Sequence, residues 1–177
     1  MTASRATRAM QPYLERIEHL RSLRDRGADS QKLKRHIRED PALSPLYQTY
    51  LFLITLKDMG MAETRGVFEV VNFEDWIVSL STCNPSIEDL ADGPLLLRWC
   101  PIKENGAPLL VGQVSGHPHL REGARVQTSP LMNLQPTESW ARSCNRFYNL
   151  GERDDGFLAE LRKDGRLAPN AQRLDPF

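Results

Sequence analysis

The chain has 177 residues with 23 basic and 23 acidic side chains, so its formal net charge is zero. Hydrophobic residues make up 40% and charged residues 26%, a globular balance that excludes wholesale disorder and the overall basic charge of a dedicated nucleic-acid binder. Three widely spaced cysteines, Cys83, Cys100 and Cys144, form no C-x-x-C, which excludes a zinc ribbon or thioredoxin-type motif and fits a reducing, cytoplasmic setting.

The first forty residues are basic, ten lysines and arginines against six acids, and the remainder is correspondingly acidic. Met10, Tyr13, Leu14, Ile17 and Leu20 recur at three- and four-residue spacing, which predicts a helix over 5–26 with one apolar stripe. Gly27 supplies its stop. Asp29 and Ser30 cap a second helix with Leu33 and Ile37 inward. Its cations Lys32, Lys34, Arg35 and Arg38, with His36, read either as a phosphate-contacting face or as a solvated helix surface. Ser44-Pro45 predicts a third helix start. The residues after it are apolar around most of the circumference, which points to a central, buried helix ending at Gly60.

Residues 66–71, GVFEVV, read as a short strand. Asn72 and Asp75 cap a helix carrying Trp76, Ile77 and Leu80 inward, and Ser86 opens a brief one that Gly93-Pro94 ends. From Leu95 the period becomes two. LLLRWCPI and PLLVGQVSG form a hairpin around Asn105-Gly106, then ARVQTSPLMNL and WARSCNRFYNL follow. Pro130 marks an edge or bulge in the third of these. The expected architecture is α+β: a helical lobe over 1–65, then an α+β domain over 66–165 with a short C-terminal helix. Within that domain, 95–151 is an antiparallel four-stranded meander curled into a partial barrel. Residues 166–177 read as a loose tail. The N-terminus lacks the apolar run of a signal peptide, and the longest apolar run, 50–56, falls far below the ~20 residues of a membrane span. No membrane contact is expected.

Four motifs stand in order over 86–151: D-L-A-D-x-P-L-L followed by Trp99, L-V-G-x-V-S-G-H-P, T-S-P-L, and W-A-R-S-x-x-R-F-Y-x-L-G. This run resembles an uncharacterised family of small bacterial proteins, a domain of unknown function. The resemblance marks a domain and implies no activity.

On the fourth predicted strand Trp140, Arg142, Cys144, Arg146 and Tyr148 fall on one side. Two arginines among aromatic rings suit a phosphate or carboxylate, since a guanidinium accepts planar anions bidentately and stacks on rings. The alternative is internal pairing with acids such as Glu122 or Glu138. In Gly116-His117-Pro118-His119, His117 is read as bonding the loop backbone and His119 as exposed. Metal binding there is disfavoured because alternate residues of an extended turn diverge. Thr128 and Ser129 offer hydroxyls to His117, but no G-x-S-x-G elbow surrounds them. No P-loop, dinucleotide fingerprint or H-E-x-x-H occurs, so neither cofactor nor metal is expected.

These residues favour a non-enzymatic binding or regulatory module, of the inhibitor or adaptor type, acting through a protein partner or a second copy. His117, Thr128, Ser129, Trp140, Arg142, Arg146 and Tyr148 are its candidate contacts. The runner-up is a nucleic-acid-binding accessory protein using the basic lobe. A hydrolase built on His117 with Ser129 or Thr128 comes third.

Overall fold

A computed structural model describes residues 5–59, 72–82 and 84–174. The chain divides into two compact units, 1–83 and 84–177. The expected strand at 66–71 and the expected stop at Gly60 lie outside the described residues, as does Cys83.

In the first unit α1 spans Arg5–Asp25, α2 Ser30–Glu39, α3 Leu43–Asp58 and α4 Phe73–Thr82. Tyr13, Ile17 and Leu20 are buried on α1, and Leu33 and Ile37 on α2. Gly27 has φ +86°, the left-handed stop that glycine adopts without steric cost. The Asp29 side chain caps α2 by accepting from the Lys32 N–H. Two details differ from expectation. Asp40, not Ser44, starts α3: its carboxylate accepts from the N–H groups of Ala42 and Leu43. An acid one turn earlier satisfies more of the open donors than a serine can. Nor is α3 buried all round. Leu46, Tyr47, Tyr50 and Leu53 are buried, while Phe52 is 61% exposed. Tyr47, Tyr50, Phe73 and Trp76 form a ring cluster with Tyr47 edge-on to Phe73 at 5.1 Å and Tyr50 beside Trp76 at 5.3 Å. Asn72 and Asp75 cap α4 reciprocally, as read from the sequence.

The second unit opens with α5, Ile87–Ala91, held by a capping box between Ser86 and Asp89. The sheet has seven strands instead of four: β1 Leu95–Glu104, β2 Ala107–Ser115, β3 Ala124–Gln127, β4 Leu131–Gln135, β5 Trp140–Ser143, β6 Phe147–Leu150 and β7 Gln172–Arg173. α6, Phe157–Lys163, lies between β6 and β7. The order is β3-β2-β1-β6-β5-β4 with β7 also on β1. The β1–β6 pair is parallel and the others antiparallel, so the sheet is mixed.

The third and fourth predicted strands are each broken by local chemistry. The third breaks at Thr128-Ser129-Pro130, where proline has no N–H for a ladder. Thr128 finishes the pairing with Leu110 through its own N–H and with its hydroxyl oxygen in place of a carbonyl. The fourth folds back at Cys144-Asn145, where the Ser143 N–H donates to the Arg146 carbonyl at 3.0 Å. The Asn105-Gly106 turn has φ of +50° and +84°, the two positive values a type I′ hairpin requires.

Only three residues link β3 to β4, the two ends of the six-strand path. A flat sheet of six strands is roughly 24 Å across, whereas the four steps from Gln127 to Leu131 reach about 14 Å. The sheet therefore curls, and among the described residues no ladder closes β3 on β4. Leu96, Leu110, Val114, Leu131, Leu134, Ala141, Tyr148 and Leu150 fill the inside of the curl. Outside it Cys100, Ile102, Leu109 and Val111 pack against Phe157, Leu158 and Leu161 of α6. A bulge between Leu97 and Cys100 reverses the alternation of β1, which is how Trp99 faces in while Cys100 faces out. Gly112 is required on the inner side of β2: a Cβ there would stand 2.8 Å from Leu96 Cγ and 2.9 Å from the Leu97 carbonyl oxygen.

The tail is docked as far as Leu174. Ala171 is buried against the outer cluster. The Ala168 N–H donates to the Glu104 carboxylate at 2.8 Å and the Leu174 N–H to the Pro101 carbonyl at 2.9 Å. One alanine and a two-residue strand are too short to show a period, so no sequence pattern marks this anchor.

Candidate functional site

The site begins with the turn that divides β5 from β6. Ser143 holds the turn shut, its hydroxyl oxygen accepting from the Arg146 N–H at 3.3 Å, and Ser129 and Ser143 both donate to Asn145 Oδ1, at 2.7 and 2.8 Å. Asn145 thus ties the Thr128–Pro130 break to the hairpin. Its role was missed in the sequence, because only the fold-back brings those two segments together.

Once the strand folds back, the two arginines separate. Arg142 pairs in register with Phe147. It is buried at 6% exposure, with its guanidinium 4.4 Å from the centre of the Phe147 ring. Trp140 stands on the same side: its ring is edge-on to Phe147 at 5.9 Å and its Nε1–H donates to Glu138. Arg142 and Trp140 are thus packing groups on the outer face. Tyr148, one residue beyond Phe147, belongs to the inner cluster. The sequence expectation of one shared face for Trp140, Arg142, Arg146 and Tyr148 fails here, since a two-residue turn reverses chain direction and face together.

Arg146 is half-buried at the end of the hairpin and makes no ion pair with a described residue. Its charge is felt by two predicted site residues. Burial pushes the His117 imidazole below its ordinary pKa, and Arg146 and then His119 add to the effect. The Tyr148 phenol is pushed up by burial, with Arg146 opposing. Arg146 thus acts electrostatically on both His117 and Tyr148. The two acids considered for internal pairing are engaged elsewhere. Glu138 accepts from Trp140, and Glu122 accepts from the Ser115 side chain and then from the Gly116 N–H at 3.1 Å, which hold its carboxyl below the usual range.

His117 Nδ1 accepts from the His119 N–H at 3.1 Å, fixing its loop, and His119 is exposed. Thr128 is buried and bonded to Leu110, and Ser129 to Asn145. Neither hydroxyl is hydrogen-bonded to His117, so the imidazole–hydroxyl pair that hydrolysis needs is not assembled. Cys100 and Cys144 are buried thiols. Among the described residues no group of three His, Cys, Asp or Glu is placed to hold a metal ion, and no helix is long and apolar enough to cross a membrane. The arrangement offers a half-buried guanidinium without an internal carboxylate partner among the described residues, which suits holding an anion.

On α2, Lys32, Lys34, Arg35 and Arg38 are all exposed around the buried Leu33 and Ile37. None of the four is paired with a described acid.

No curated protein and no solved structure matches this chain. A family model does: residues 68–171 match it, more than half of the sequence and nearly all of the curled-sheet unit, so the chain belongs to the family of unknown function DUF6634.

Proposed function

We propose that this chain is a non-enzymatic binding module, and that its curled sheet takes an acidic side chain or similar anionic group of a protein partner beside Arg146. The observation that supports this reading is the uncompensated charge of Arg146, whose backbone the Ser143 turn fixes and whose guanidinium lies close enough to lower the His117 pKa. A buried-edge cation without an internal carboxylate is poised to gain from an external one. A protein partner also finds an apolar contact in Leu120, 43% exposed in the same loop as His117. The helical unit offers further apolar contacts at Phe52 and Met59, 61% and 63% exposed.

The test is a titration of the His117 ring by NMR with and without sulfate. An anion held beside Arg146 favours the imidazolium, so sulfate raises the His117 pKa in the native chain. It leaves that pKa unmoved in Arg146→Ala. An equal rise in both chains contradicts the site.

One observation favours a second reading, contact with nucleic acid: the four exposed, unpaired cations of α2. Binding through them follows counterion release, so the logarithm of affinity falls with log salt at a slope of about −0.9 per phosphate contacted on duplex DNA. Changing Lys32 and Arg35 to Ala lowers that slope. A mobility shift absent at low salt ends this reading.

A further inference from the structure

A separate concavity lies on the outer side of β3. Arg121, Gly123, Ala124, Arg125 and Arg166 enclose a space of about 430 Å³. Adjoining it and sharing Arg125 and Arg166 is a second hollow of about 250 Å³ whose floor includes Val111, Leu161 and Leu167. Three arginines thus line one groove, with an apolar bed at one end.

The three arginines are not equivalent. Arg125 is neutralised: it is ion-paired to Asp164, stands 3.7 Å from Glu160, and lies 5.8 Å from the centre of the Phe157 ring. Arg121 and Arg166 are exposed and paired with no described acid. Both are mounted on closed turns. Arg121 begins a turn in which the Ala124 N–H donates to its carbonyl at 3.1 Å, with Gly123 at φ +70°. Arg166 ends the C-terminal motif of α6: its N–H reaches the Leu161 carbonyl and that of Gly165 the Arg162 carbonyl, both at 3.0 Å, with Gly165 at φ +65°. This is the double hydrogen bond of a Schellman motif, which needs a left-handed residue at that point. The backbone under both cations is therefore fixed before any ligand arrives, which lowers the ordering cost of binding.

Like charges gathered in a concavity repel one another and focus a positive field outward. A carboxylate is satisfied by one guanidinium fork. A phosphate, with three terminal oxygens and up to two charges, can accept from several guanidinium groups at once. The apolar bed of Val111, Leu161 and Leu167 favours an organic group attached to it. We propose that this groove binds a small phosphomonoester whose organic part is apolar, the phosphate between Arg121 and Arg166 and the organic part over Leu161 and Leu167. The groove shares no residue with the Arg146 site, so either can fail without the other.

The experiment uses the full chain and phenyl phosphate, with inorganic phosphate and phenol as partial probes, followed by NMR. Saturable shifts are expected at Gly123, Ala124 and Arg166. Arg121→Ala and Arg166→Ala should each weaken binding on the order of tenfold with an unchanged melting temperature, since both side chains are exposed. Arg146→Ala should leave it unaltered. Inorganic phosphate should bind more weakly than phenyl phosphate, and phenol should not bind. The proposal is overturned if phenyl phosphate gives no saturable shifts at about 10 mM, or if its binding is lost in Arg146→Ala and kept in both groove variants. Equal affinity for inorganic phosphate and phenyl phosphate overturns the apolar half of the assignment.

Discussion

Arg98 sits in the β1 bulge at φ +50°, a conformation costly for a residue with a Cβ unless its surroundings hold it. They do. Its guanidinium bonds Asp154 at 2.7 Å and Glu160 at 2.5 Å and lies 4.7 Å from the centre of the Phe157 ring. The pairing holds both carboxyls below the usual carboxylate range, Arg98 being the largest cause in each case. A carboxyl with a lowered folded pKa stabilises the fold above its unfolded value, about 4. That contribution is lost as pH falls through the folded value. Melting temperatures taken from neutral pH down to about pH 3 should therefore fall less steeply in Arg98→Gln than in the native chain. Parallel curves would show that the clasp contributes nothing. Neither the bulge nor the clasp was legible in LLLRWCPI, because the partners of Arg98 lie more than fifty residues away.

Elements whose signals are local were legible. The α1 stripe, the Asp29 cap, the Asn72–Asp75 pair, the helix start at Ser86 and the Asn105-Gly106 turn each depend on residues close together in the chain, and each is present. Elements that fail to continue were not legible. Both WARSCNRFYNL and ARVQTSPLMNL keep a two-residue period across their breaks, so periodicity alone predicts one strand where two stand. Pro130 gave a hint in one of them. In the other the decisive feature is the Ser143 hydroxyl turning back on Arg146, a short-range bond that serine makes in many contexts and that no spacing singles out. The cost of that miss fell on the site. Arg142 moved to the packed outer face, and Arg146 alone stayed beside His117 and Tyr148.

At the scale of the molecule, the family match at 68–171 covers most of the second unit, 84–177, and six of its seven strands, and the proposed anion contact lies within it. The α+β class followed from the change of period at Leu95. The mixed order did not, since a β1–β6 pair joins segments about fifty residues apart with no local mark in either. In the proposed function Arg146 is the cation that meets a protein partner. Co-purification of partners with the native full chain, Arg146→Ala and Arg142→Ala, quantified by mass spectrometry, tests this most directly. The native chain retains a stoichiometric partner that is released by moderate salt, and Arg146→Ala loses it while keeping its melting temperature. Retention by Arg146→Ala at the native level would contradict the account.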